Sequence, residues 1–388
     1  MKLKKTLVGF VILSLISLGG GAAQAQAPNS GVQIMASKKI AIASNFPLGF
    51  ADEQKTIIRA PKISATPKTA KLSYQWLKDG RPVKGAVSTS YKFLASDAES
   101  RFQLRISASA AGYAPATALS SGFVPGDQPK TYKLLWSDEF DAAGQTTPSK
   151  DFWVPQDGDG SSYNIPGWGN NEEQYYRSSQ SSIKDGILTI NATRTGASSE
   201  KCYYGNCQWL SSKFVTKDKL GFQYGRMEAR VKSSTGEGVW PAFWLLGSNI
   251  DARPWPGCGE IDIMELKGQE PSKVWGTIHG PNGSIGDVGM LDSSGIVGWH
   301  TYAIDWTPTS ISWFIDGKRF KKVSKAEYVG AQDPRVWVFD HEFYLILNLA
   351  MGGNFVGGPS DPALTSAQTE IDYVRYYSAD GLGNVTKH

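Results

Sequence analysis

From Thr131 to Ser378 the apolar residues fall at every second position or in short β-branched and aromatic runs, and no long stretch repeats with a helical period. Gly186-Ile187-Leu188-Thr189-Ile190, the residues from 225 to 231, His300-Thr301-Tyr302-Ala303-Ile304-Asp305-Trp306 and the residues from 311 to 315 are examples. Asp316-Gly317 is a strong hairpin turn. A chain patterned this way has no helix stripe to bury, so it must pair strands. A stretch of about 250 residues is within the normal range for one sandwich domain. The expected class is all-β, with two curved sheets whose outer faces alternate between buried and wet.

One strand stands apart. Cys258-Gly259-Glu260-Ile261-Asp262-Ile263-Met264-Glu265 carries three carboxylates in six residues, separated by aliphatic side chains. On a regular strand Glu260, Asp262 and Met264 share a face and Glu265 points the other way. One extra residue at Met264, a β-bulge, returns Glu265 to the face of the other two. Acids on an alternating strand are most often a solvated outer face. Three on one concave face would repel, and one of them would keep a proton near neutral pH. A charged carboxylate beside a protonated one is the pairing that glycoside hydrolysis uses. Aromatic residues flank the strand: Trp240-Pro241-Ala242-Phe243-Trp244 upstream, and Trp275 with His279 downstream. Trp240 and Trp244 are four apart and share a strand face, which suits either core packing or a sugar ring.

The 388 residues suffice for two domains. Met1-Lys2-Leu3-Lys4-Lys5, an apolar run to about Leu18 and an Ala-x-Ala site form a signal peptide, with cleavage expected after Ala25. The run is too short for a membrane span. The expected address is therefore secreted, extracellular or periplasmic. Residues 26–130 carry 14 Lys/Arg against 6 Asp/Glu, and residues from 131 on carry 23 against 30. That balance excludes nucleic acid as the second part's partner. Export permits disulfides. Cys202-Tyr203-Tyr204-Gly205-Asn206-Cys207 could close a small hairpin, leaving Cys258 as a buried apolar residue. No Cys/His spacing suits zinc.

Residues 28–124 are rich in Ala, Ser, Thr and Lys, with short alternating runs and recurrent turns, and read as a small β-sandwich. Ser73-Tyr74-Gln75-Trp76-Leu77-Lys78-Asp79-Gly80, then Tyr91, then Ala111-Gly112-Tyr113-Ala114-Pro115-Ala116 resemble a bacterial immunoglobulin-like module, with Trp76 as its core tryptophan. A spacer role is the favoured reading over glycan binding. Residues 125–130, with two Pro and one Gly, are expected to be a linker, and residues 379–388 a short loose tail.

The second segment, 131–378, resembles glycoside hydrolase family 16, in particular its laminarinase-like endo-β-1,3-glucanases. Glu-Ile-Asp-Ile-Met-Glu stands complete at 260–265. Around it, in family order, are Leu135-Trp136-Ser137-Asp138-Glu139-Phe140, Gly167-Trp168-Gly169-Asn170-Asn171-Glu172, the block from Phe222 to Arg230, the block from Phe339 to Asn354, and Ile371-Asp372-Tyr373-Val374-Arg375-Tyr376-Tyr377. The resemblance implies a β-jelly-roll sandwich of concanavalin A type and a retaining mechanism. Glu260 would be the nucleophile, Asp262 its modulating neighbour and Glu265 the general acid/base. Trp240, Trp244, His279, Asn170, Glu172 and Arg226 would contact substrate, although alternation could aim Arg226 outward. It also implies a structural Ca²⁺ remote from catalysis, held by Glu139, the carbonyl of Gly186 and Asp372; no cofactor is required for catalysis. The expected partner is a β-glucan, and the expected state a monomer.

Three functions stay open on the residues alone. The first is a secreted endo-β-1,3-glucanase that also accepts or rejects mixed β-1,3-1,4-glucan. The second is the same fold and mechanism on agar or carrageenan, since galactan-cleaving relatives share a bulged acidic motif. The third is a non-catalytic glucan-binding protein, which would be expected to have lost acids that are all present here.

Overall fold

A computed structural model describes residues 38–388 except Gln54, Ala95, Ser96 and Pro129. The expected signal peptide lies outside the described residues. Beyond residue 130 the alternation predicted from sequence becomes two large sheets. One runs, in spatial order, Val154–Pro155, Lys213–Val215, Phe343–Met351, Val239–Gly247, Glu260–Glu265, Lys273–Gly280 and Gly283–Met290. The other runs Gln174–Tyr176, Trp209–Ser211, Ile187–Thr193, Ser366–Ala379, Gly225–Ser233, His300–Thr307, Ser310–Ile315 and Lys318–Ser324. Tyr132–Asp138 adds to the second sheet through Ser366–Ala379.

The two sheets close over one core. Phe243, Leu245, Ile261, Ile278 and Leu347 enter it from the acid-bearing sheet, and Met227, Val231, Ile304, Trp313 and Val374 from the other. Each such side chain contributes roughly 1.5–3 kcal/mol when fully buried. Because this set takes one face of the acid-bearing sheet, Glu260, Asp262 and Glu265 are left for the opposite face. That face is itself partly covered, by Val215, Leu246, Cys258, Tyr344 and Ile346. Cys258 is buried there as a free thiol, and Cys202 is bonded to Cys207 as the spacing suggested.

Residues before 125 form a separate core. Lys71–Lys78 and Phe102–Ser109 pair antiparallel, and Ile57–Arg59 pairs with Gly49–Phe50 and Ser90–Lys92. Trp76, wholly buried, packs with Ile58, Phe102, Leu104 and Ile106.

Two expectations need correction. The residues after 378 are not a loose tail. Asn384–Lys387 is a strand paired with Leu220–Gln223, Val385 packs on the main core, and the Tyr376 hydroxyl donates to the Asn384 carbonyl. Four residues are too few to show a period. The segment at 125–130 is not a free linker either. Pro125–Asp127 forms a 3-10 turn with Pro125 buried, and Asp127 pairs with Arg319 and Lys322.

Candidate active site

The bulge lies in the acidic strand, one residue from its expected place. Against Val239–Gly247 the register runs Leu246 to Glu260, Leu245 to Ile261 and Trp244 to Asp262, then jumps to Phe243 with Met264 and Ala242 with Glu265. The residue left out is therefore Ile263 rather than Met264. Against Lys273–Gly280, Asp262 faces Thr277 and Glu265 faces Trp275, so Ile263 and Met264 together span Gly276. Both bulge residues drop into the core, each 1% exposed. That double step is what returns Glu265 to the face of Glu260 and Asp262.

Support for the bulge comes from across the sandwich. Trp313 Nε1 donates to the Asp262 carbonyl at 2.7 Å, giving a partner to a backbone oxygen at the break in the ladder. Its indole reaches there only because position 276 is glycine. A Cβ on Gly276 would lie 2.4 Å from Trp313 Cδ1.

Each outer acid has an indole donor. Trp240 Nε1 donates to Glu265 Oε1 at 3.1 Å, and Trp255 Nε1 donates to Glu260 Oε2 at 3.0 Å. His279 Nε2 stands 3.1 Å from Asp262 Oδ2 and 3.8 Å from Glu260 Oε1. The 3.1 Å contact is off the line of a formed hydrogen bond, since that oxygen is otherwise unpartnered, so it is an electrostatic contact. Ser284 Oγ sits 2.6 Å from His279 Nδ1. With that hydroxyl donating, the ring proton is on Nε2 and faces the acids.

Burial, then the neighbouring Asp262 carboxylate, pushes Glu260 up to about 8, while His279, Trp255 and Lys213 pull it down. Burial pushes Asp262 up to about 8 against a hydrogen bond with Glu260. Glu265 is pushed well above the ordinary carboxylate range by burial and then by the charges of Asp262 and Glu260. All three shifts run upward, so the cluster retains protonated carboxyl at neutral pH.

A second polar network adjoins the acids. Trp244 Nε1 donates to Asn348 Oδ1 at 2.7 Å, Asn348 Nδ2 donates to the Tyr176 hydroxyl, and that hydroxyl donates to Glu172. Gln174 also donates to Glu172, and Asn170 contributes a hydrogen bond there. Buried Lys213 lies over the faces of Trp168, at 4.0 Å, and Trp244, at 5.3 Å. Its pKa is lowered by burial to about 8 against the attraction of Glu172 and Glu260.

Of the residues singled out from sequence, Glu260, Asp262, Glu265, Trp240, Trp244 and His279 are thus brought together, with Asn170 and Glu172 in the adjoining network. Arg226 is not. It belongs to the second sheet, where its guanidinium pairs with Glu228 and Asp305 beneath the Tyr132 and Phe314 rings. At the residues of the expected calcium set, arginines stand beside both carboxylates. Both oxygens of Glu139 accept from Arg375, at 2.9 and 2.8 Å, and Asp372 accepts from Arg230 at 2.6 Å. A cation at that set would compete with those guanidinium groups for Glu139 and for one oxygen of Asp372.

Sequence reasoning missed Trp255, Lys213 and Asn348. Signals existed for each. Trp255 is an aromatic between two prolines just before the acidic strand, Lys213 a lone charge before Phe214-Val215, and Asn348 the one amide in a run buried throughout.

The family model for Glycosyl hydrolases family 16 matches residues 169–375. Glucan endo-1,3-beta-glucosidase A1 of Niallia circulans is 37% identical over 63% of this chain, which spans 37% of that relative's length. The beta-glucanase of Rhodothermus marinus is 36% identical over 65% of this chain and 87% of its own. Among solved structures, the laminarinase catalytic domain from Thermotoga maritima matches with a TM-score of 0.58 and 36% identity, over 64% of this chain and 98% of that one. The sandwich is thus a β-jelly-roll of the laminarinase kind, and the bulged acidic strand, the flanking indoles and these matches converge: the chain belongs to family 16 of the glycoside hydrolases.

Proposed function

We propose that this glycoside hydrolase cleaves internal β-1,3-glucosidic bonds of laminarin-type glucans with retention of configuration. The observation that carries the reading is the bulge at Ile263, which sets Glu260 and Glu265 on one face with an indole donor on each. The relatives named for endo-1,3-glucosidase and laminarinase activity support the substrate class.

In this mechanism a Glu260 oxygen attacks the anomeric carbon, and the bond to the leaving glycosidic oxygen breaks as Glu265 transfers its proton to that oxygen. Glu265, now a carboxylate, takes a proton from water. The water oxygen attacks the same carbon and releases Glu260. The upward shift of Glu265 suits its role, because the acid must arrive protonated. Asp262, beside Glu260 and His279, takes up or yields charge as Glu260 becomes an ester. The Trp240 and Trp244 faces would stack on sugar rings, while Asn170 and Glu172 would hold hydroxyls.

Export belongs to the same proposal. The basic start, short apolar run and Ala-x-Ala site support it, as does the Cys202–Cys207 bond. Among the described residues no helix is long and apolar enough to cross a membrane. The immunoglobulin-like segment is proposed as a spacer.

The test is hydrolysis of laminarin, lichenan, agarose and carrageenan by the purified protein, with product sizes and the anomeric form of fresh reducing ends read by NMR. Internal cleavage of laminarin giving the β-anomer first, abolished in Glu260→Gln and Glu265→Gln, is expected. Cleavage of a galactan alone would overturn the substrate, and an initial α-anomer would overturn retention.

A further inference from the structure

The disulfide-closed hairpin was not absorbed by the catalytic reading, yet it is tied to the wall of the site. Cys202 and Cys207 fix a loop whose two tyrosines are exposed, Tyr203 by 44% and Tyr204 by 37%. The loop is not free to move. The Tyr203 N–H donates to Asp159 Oδ2 at 2.6 Å, and Asp159, 5% exposed, also accepts from Ser161. The Tyr204 hydroxyl donates to the Glu173 carbonyl and accepts from the Gln208 N–H. The Tyr203 ring lies on Gly167, where a Cβ would come within 2.7 Å of it.

Gly167 begins the block that carries Trp168, Asn170 and Glu172, so the hairpin abuts the residues nearest the site. A chain of packed contacts, with Lys213 between two indoles, leads from the acids toward it. Trp244 is paired in register with Asp262, Lys213 bridges Trp244 and Trp168, and Tyr163 lies 5.3 Å from Trp168. Tyr163 is itself 46% exposed and follows the same Asp159-anchored turn. At this end of the site, two open tyrosine faces therefore stand on a rigid support.

We propose that Tyr203 and Tyr163 form a distal sugar-binding platform, held in place by the disulfide, for the same glucan chain whose scissile bond lies at Glu260 and Glu265. The occupant follows from continuity with that chain of contacts, and from the low ordering cost of pre-positioned tyrosines that stack on a ring and offer a hydroxyl at its edge. The inference rests on the proposed glucanase reading. It adds that chain length is sensed beyond the acids, by a loop stapled outside the two sheets.

The experiment is kcat/KM for a series of β-1,3-gluco-oligosaccharides of increasing length, with wild type, Tyr203→Leu, Tyr203→Phe and Tyr163→Leu. Leucine keeps bulk against Gly167 and removes the flat face, and phenylalanine keeps the face. Expected is a several-fold loss in both leucine variants, confined to the longer oligosaccharides, with near wild-type values in Tyr203→Phe. An equal loss at every length would make the hairpin a buttress only, and unchanged values at every length would remove it from binding; either result overturns the proposal. Should wild type cleave none of the glucans, the glucanase reading fails on that result alone. The platform is then decided by electrophoresis through gels containing laminarin, lichenan or agarose. Weaker retardation of Tyr203→Leu than of wild type in laminarin or lichenan supports it, and equal mobility in both glucans overturns it, whatever the agarose gel shows.

Discussion

The indole on each outer acid makes a separable contribution. Trp255 donates to Glu260, and that bond favours the ionised form which must attack. Trp255→Phe keeps the ring and removes the donor, so the Glu260 pKa rises. The acidic limb of the kcat/KM profile should move up by roughly half to one pH unit, with kcat at the optimum reduced less than tenfold. A limb that stays in place would show that Trp255 serves only as a surface for sugar. Glu265 gives a second prediction at this scale, with the opposite sign for stability. Its native carboxyl keeps a proton that the unfolded chain releases above its ordinary pKa of about 4. In that window the native state binds more protons, so stability falls as pH rises from about 4. Glu265→Gln removes this loss. The variant should be inactive yet more heat-stable than wild type at pH 8, with the gap in Tm closing toward pH 4. Each kcal/mol at stake moves Tm by roughly 2–4 °C at this domain size.

The bulge is the element on which the chemistry depends, and its integrity depends on a residue remote from substrate. Gly276→Ala would push a methyl group into the Trp313 indole that donates to the Asp262 carbonyl. The expected cost is about 1–3 kcal/mol, as for other overpacked core sites. Activity should fall more than stability explains, because a displaced indole frees the bulge and turns Glu265. Thermal melting measured beside kcat checks this; activity that merely tracks the folded fraction would refute it. The need for a bulge was legible in the sequence, because strict alternation cannot place residues 260, 262 and 265 on one face. Its position was not, since Ile263 and Met264 are both apolar and both enter the core. Trp240, Trp244 and His279 were legible through alternation on the acidic strand's neighbours. Arg226 was misplaced because alternation gives the face of a strand but not the sheet it joins. The carboxylates of Glu139 and Asp372 read as cation ligands, whereas pairing of distant strands delivered Arg375 and Arg230 to them.

At the scale of the molecule, the segment before residue 130 is held to the jelly-roll by charges that composition hinted at only in bulk. Lys322 pairs with both Glu99 and Asp127, Arg319 shares Asp127, and Ser310 Oγ donates to Glu99. The acids come from the basic part of the chain and the cations from the acidic part, so the contact inverts the overall charge of each. The attachment is on the strands Ser310–Ile315 and Lys318–Ser324, with a further pair between Lys55 and Asp380 at the end of Ser366–Ala379, all in the sheet that does not bear Glu260, Asp262 and Glu265. A module placed there leaves the catalytic face open, which agrees better with a spacer than with a part of the cleft. Single exposed pairs contribute about 0–1 kcal/mol, whereas a shared network of this kind gives orientation. Arg319→Glu combined with Lys322→Glu should therefore leave turnover of short oligosaccharides and the melting of the jelly-roll nearly unchanged. Small-angle scattering should show a larger radius of gyration for that variant, and wild type should approach it in 1 M salt, where the Debye length shrinks to about 3 Å. Equal radii in the two proteins at low salt would mean that the interface is held by something other than these charges. A parallel loss of activity would mean that the module reaches the catalytic face after all.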